Sequence, residues 1–332
     1  MPFVYRHDQI QQRIEYKYLK SSLQEKYGDY DRDANGTYHL GQLKLFMSEL
    51  MFLSKMMDKG SEGTDTVVYA GAAPGHHISI LASMFPKAKF ELWDPRSFKV
   101  ENRSNIETHV AFFTNEVADS YRKRRESGEA ILFISDIRDK KAAGMRTAFK
   151  SSEESGMDAD EELISTDMVL QREWCDIIRP KAAFLKFRFP WKPGTTSYYG
   201  GKIYLQPYYS IATETRLLVT DFDKIVEYDH DEYNDKLYFF HANIRFDPVE
   251  DDRWKKIMTS NNIKLSWDNY IGFYTVSFYI GTSKTVTDQA VYDMFMDIVK
   301  KHKAMLGDKY DYIFIMPAST ELSETAESKF VD

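Results

Sequence analysis

Cysteine is almost missing from this chain: Cys175 stands alone among 332 residues. That excludes an internal disulfide framework and fits a reducing compartment. Long apolar runs are missing as well, with nothing near the roughly 20 residues that a membrane-spanning helix needs. The first twenty residues are too charged to supply the apolar stretch of a secretory signal, so a cytoplasmic location is expected and no membrane partner. A basic excess is also absent: 44 Lys and Arg against 51 Asp and Glu give a formal net charge of -7. General attraction to polyanions is thereby excluded, and any nucleic-acid contact must be local. The chain has no Gly-Lys-Ser/Thr loop and no three-glycine dinucleotide fingerprint, which excludes a P-loop and counts against an oxidoreductase.

What is present is a core-forming chain, 43% hydrophobic and 15% aromatic. Short apolar runs at Thr66–Ala70, Lys89–Trp93, His109–Phe113, Ala130–Ser135, Ala182–Phe187 and Arg216–Thr220 read as buried strands. Between them, Gln42–Met57, His76–Phe85, Asn115–Arg125 and Asp160–Ile178 repeat apolar residues at helical spacing. This alternation predicts an α/β fold, a mostly parallel central sheet with helices on both faces. The domains expected are an N-terminal arm over 1–38, a core over 39–246, an extension packed on the core over 247–317, and a polar tail over 318–332. The extension carries a strand-like run at Tyr270–Ile280 and a helix near Val291–His302. A polar stretch from Asp139 to Gly156 reads as a loop after the fourth strand, where open α/β sheets bind ligands.

Val67–Gly75 (VVYAGAAPG) runs from a strand into a turn that enters a helix. Gly71 and Gly75 let the backbone bend sharply and approach a ligand. Asp94 ends the next strand, where a carboxylate can accept both hydroxyls of a ribose. An adenosine-containing cofactor without a phosphate cradle points to S-adenosylmethionine.

Four charges fall where this topology converges: Lys44 on the helix before the first strand, Asp136 after the fourth, Lys186 in the fifth and Glu214 before the sixth. Charges in apolar strand surroundings are costly unless paired or used. The quartet suits methylation of a ribose hydroxyl. A hydroxyl needs a base, and an amine serves as one only where burial and a second cation disfavour its charge. Lys186 is the expected base, Lys44 the second cation, and the carboxylates of Asp136 and Glu214 the groups that hold them, with no metal in the step.

GQLKLFMSELMFLSKM, VVYAGAAPG, WDPR, ISDIR, LKFRFP, LQPYYS and ETRLL, in that order and at these spacings, resemble the poxvirus family of cap-specific 2′-O-methyltransferases. Members of that family double as the small regulatory subunit of viral poly(A) polymerase. The resemblance covers roughly Tyr38–Phe246. It implies a Rossmann-like S-adenosylmethionine-dependent methyltransferase core acting on capped mRNA, in a host cytoplasm or viral factory and in virions, with a poly(A) polymerase catalytic subunit as a further partner. The catalytic set it implies is Lys44, Asp136, Lys186 and Glu214. The implied cofactor set is Gln42, Tyr69, Gly71, Gly75, Asp94, Arg96 and Thr114, with Asp136 shared.

For the cap, the family sandwiches a methylated, cationic guanine between two aromatic rings. Trp191 occupies one of those positions, Tyr27 or Tyr30 in the arm is placed for the other, and Tyr209 is a further wall. The family carboxylate after FPW is replaced here by Lys192-Pro193, and Asp235 is left as the other candidate. Arg138, Lys140, Lys141 and Arg146 follow Asp136 and are placed to grip RNA phosphates without reading sequence. A non-catalytic RNA-binding processivity subunit is the alternative, and the two roles are compatible.

Overall fold

Five-residue apolar runs bounded by polar turns build the centre of the molecule. The structure is a computed structural model and describes residues 40–57, 65–137, 156–208, 213–241, 245, 252–281, 286–306 and 313–314. Strands β1 (Thr66–Ala70), β2 (Lys89–Trp93), β3 (Ile106–His109), β4 (Ile131–Ser135) and β5 (Ala182–Phe187) are parallel. They are continued by β8 (Thr215–Val219), antiparallel to β5, and β7 (Lys202–Tyr204), antiparallel to β8. The order across this seven-stranded sheet is β3-β2-β1-β4-β5-β8-β7. The order reverses between β1 and β4, and the crevice above that switch point is where such sheets take ligands. A separate two-stranded sheet pairs β6 (Thr195–Tyr199) with β9 (Ile225–Asp229).

β1, β4 and β8 are buried along their whole length, as a sheet covered on both faces requires. On one side lies α1 (Gly41–Met56), whose Phe52 ring stacks on Phe184 of β5 at 4.9 Å. α1 is itself covered by α7 (Trp267–Gly281) and α8 (Asp288–Leu306), and Phe46 meets His302 edge-on at 4.9 Å. Closed in from both sides, α1 buries every residue from Leu43 to Ser54 except the half-buried Leu45.

The remaining helices are α2 (Ile78–Met84), α3 (Asn115–Glu126), α4 (Gly156–Ile178), α5 (His230–Phe239) and α6 (Asp252–Ser260). α3 starts on Thr114, whose side chain accepts from the Val117 N–H, and ends in Lys123, Arg124 and Arg125, which suit the negative end of the helix. Among the described residues no helix is long and apolar enough to cross a membrane.

Two expected strands differ. The run expected at His109–Phe113 is a loop, and the strand lies earlier, at Ile106–His109. Val110 and Phe112 are exposed, and Phe113 alone turns inward, against Trp93 and Trp174. The run expected as a strand at Tyr270–Ile280 is the helix α7. It is buried on nearly all sides, so its apolar residues show no helical period, and a short run of that kind reads equally as strand or buried helix.

Candidate functional site

The ends of β4, β5 and β8 and the first turns of α1 meet at one point. Lys44 Nζ lies 2.9 Å from Glu214 Oε1. Lys186 Nζ lies 2.8 Å from Asp136 Oδ1 and 3.6 Å from Glu214 Oε2. The four charges singled out in the sequence are therefore one connected group.

A fifth charge joins them. Arg216 Nη2 donates to Asp136 Oδ1 at 2.7 Å, Nη1 to the Ser135 carbonyl at 3.0 Å and Nε to Gln206 Oε1 at 3.0 Å. Sequence reasoning missed Arg216, although the two-residue period of a strand puts it on the same side as Glu214. It missed Gln171 too, whose amide pairs with both the N–H and the C=O of Lys186 and fixes that backbone.

Three cations thus face two carboxylates in a largely buried setting. Burial would raise the Asp136 carboxyl, but Arg216, Lys186 and Lys44 outweigh it and hold it well below the usual range. Burial lowers the Lys44 amine, against the pull of Glu214 and Asp136. The side chain of Lys186 is 12% exposed, against 6% for Lys44 and 2% for Arg216. Lys186 is the cation of the three that most nearly reaches solvent.

Beside this group runs the glycine loop. Gly71 and Gly75 adopt φ values of 81° and 75°. A Cβ on Gly71 would stand 2.8 Å from the Asp136 carbonyl carbon and the Ile137 nitrogen, so the loop can pass the end of β4 only without a side chain. Asp94 is buried after β2. It accepts from the Ala73 N–H at 3.1 Å and from Arg96 through the backbone N–H, Nε and Nη2, each at 2.9 Å. Tyr69 is buried with its hydroxyl given to Glu49 at 2.7 Å, and Gln42 accepts from the His77 N–H. Gln42, Asp94 and Arg96 therefore contact the loop that Gly71 and Gly75 bend, Tyr69 leads into it, and Thr114 serves as the cap of α3.

Trp191 follows β5, and the Arg188 guanidinium stands 5.6 Å from its ring centre. Asp235 is half-buried on α5; burial, then Asp231 and Asp229, raise its carboxyl. The two segments are clipped together, since Asn234 Nδ2 donates to the Pro190 carbonyl at 3.0 Å and His230 Nδ1 to the Lys192 carbonyl at 3.1 Å. Tyr27, Tyr30, Arg138, Lys140, Lys141, Arg146 and Tyr209 lie outside the described residues.

The family model described as poly A polymerase regulatory subunit matches residues 2–253. The chain belongs to this regulatory-subunit family. Similar proteins from Myxoma virus (strain Lausanne) and Fowlpox virus (strain NVSL) are both named cap-specific mRNA (nucleoside-2'-O-)-methyltransferase. The first is 29% identical over 224 residues, covering 62% of this chain and 62% of its own length. The match therefore spans less than two thirds of the Myxoma relative. The second is 27% identical over 222 residues, covering 62% of this chain and 68% of its own length. Among solved structures, bluetongue virus VP4, described as a multifunctional RNA-capping production-line, is similar over 66% of this chain and 34% of its own at 14% identity and a TM-score of 0.36. The matched span holds every charge of the connected group and ends before α7 begins.

Glu91, Glu107 and His109 offer possible metal-ligand atoms within 4.8 Å of one another. The chain's own cations already serve that cluster: Lys89 Nζ bonds Glu91 at 2.7 Å and Glu107 at 2.9 Å, and Arg124 grips Glu91 with two bonds of 2.8 Å.

Proposed function

We propose that this chain transfers a methyl group from S-adenosylmethionine to the ribose 2′-hydroxyl of the first transcribed nucleotide of capped mRNA. The observation that carries the reading is the buried group Lys44, Asp136, Lys186, Glu214 and Arg216 beside a glycine loop that admits no side chain at position 71. Asp94 and the bend at Gly71 and Gly75 fit a nucleoside ribose, and Gln42, Tyr69 and Arg96 are the further residues that would hold the cofactor. The bound cofactor supplies an electrophilic methyl on its sulfonium.

The chain's own part is to bring a hydroxyl in line with that methyl and to take its proton. Arg216 keeps its proton, so the base is sought among the two lysines. Lys186, nearest to solvent, is assigned the base; Asp136 and Glu214 hold its amine toward the acceptor, and Lys44 supplies the second positive charge. Trp191 and Asp235, clipped into one wall, are assigned to the cap, with Tyr27, Tyr209 and the basic residues 138, 140, 141 and 146 as its remaining candidates. Within the span 247–317, the described helices α7 and α8 are taken as an extension that braces α1.

Family membership favours a second, compatible role as an RNA-binding processivity subunit for a poly(A) polymerase catalytic subunit. The test is transfer of labelled methyl to short RNA with and without an N7-methylguanosine cap. Label on the capped RNA's first ribose supports the reading; cofactor binding without transfer leaves the chain as a binding subunit.

A further inference from the structure

A buried polar chain lies beside the group above. Glu49 sits two turns after Gln42 on α1, Tyr69 lies in β1, and His77 follows the glycine loop. Glu49 accepts the Tyr69 hydroxyl at 2.7 Å through Oε1 and faces His77 Nε2 at 3.0 Å through Oε2. His77 Nδ1 faces Gln42 Oε1 at 2.9 Å, and the His77 backbone N–H meets the same oxygen at 3.3 Å. The His77 and Glu49 side chains are 1% and 2% exposed.

The roles in this chain follow from donor counting. A backbone N–H can only donate, so the Gln42 atom it meets is the amide oxygen, and the amide NH2 points the other way. Facing that acceptor oxygen, His77 Nδ1 donates to Gln42, while Nε2 faces the Glu49 carboxyl. Burial, reinforced by Glu49, pushes the Tyr69 phenol well up, so it too stays a donor. The far end of the glycine loop is thereby tied to α1, and the amide of Gln42 has one orientation.

We propose that His77 and Glu49 are positioning residues that lock the Gln42 amide with its NH2 toward the cofactor. This rests on the cofactor reading above. The pair touches no reacting atom and acts through Gln42.

The test is a double-mutant cycle on the full chain, with S-adenosylhomocysteine as the probe and its Kd measured by calorimetry. His77→Gln is expected to weaken binding about tenfold, the scale of a hydrogen bond to a charged group. In a Gln42→Ala background the same change should cost less than about twofold, because coupled residues are not additive. In turnover the loss should appear in the cofactor KM rather than in kcat. Equal losses in both backgrounds, or a fall in kcat with Kd unchanged, would overturn the proposal. If His77→Gln does not fold, Glu49→Gln keeps the side-chain volume and carries the same cycle. A wild-type chain that binds no S-adenosylhomocysteine overturns the cofactor reading itself, and this inference with it.

Discussion

Arg216 holds Asp136 at 2.7 Å from a side chain that is 2% exposed. Replacing it with Leu leaves a buried carboxylate short of a partner, which costs about 3–5 kcal/mol. The urea midpoint at pH 7 should fall accordingly, and an unchanged midpoint would mean that Lys186 and Lys44 suffice. Glu91 gives a pH-dependent case. Burial would raise its carboxyl, but bonds from Arg124, Lys89 and Tyr121 bring it down from 4.5 to about 2. A carboxyl depressed on folding stabilises above its unfolded value and loses that contribution as pH falls through the folded one. Stability should therefore drop between about pH 4.5 and pH 2, by roughly 3 kcal/mol. Glu91→Gln should shrink the fall in urea midpoint between pH 7 and pH 3; an equal fall in the variant would place the acid sensitivity elsewhere.

At the scale of elements, α7 depends on a glycine that helix propensity disfavours. A Cβ on Gly272 would lie 2.7 Å from the Tyr208 hydroxyl and 2.8 Å from a Phe295 ring carbon. Gly272→Ala should thus lower stability by about 1–3 kcal/mol despite the better helix former, read as a lower melting temperature; a rise would show that the packing yields. The same helix marks the limit of reading the sequence. β1, β2, β4, β5 and β8 were legible because each is a short apolar run between polar turns. Tyr270–Ile280 was not, since burial on all sides erases periodicity, and β6, β7 and β9 carry too little apolar pattern to stand out. In the site, Lys44, Asp136, Lys186 and Glu214 were legible as charges in apolar surroundings. Glu49 and His77 were not, because their meeting depends on how α1 packs against a loop 28 residues away.

For the whole molecule, the net charge of -7 gives no general attraction to polyanions, so the proposed methyl transfer is separable from general affinity for RNA. The most direct test is single-turnover methyl transfer to RNA bearing an N7-methylguanosine cap, comparing wild type with Lys186→Ala. The rate should be at least about 100-fold lower in the variant, with S-adenosylhomocysteine bound as in wild type. Near-normal transfer by Lys186→Ala would contradict Lys186 as the base.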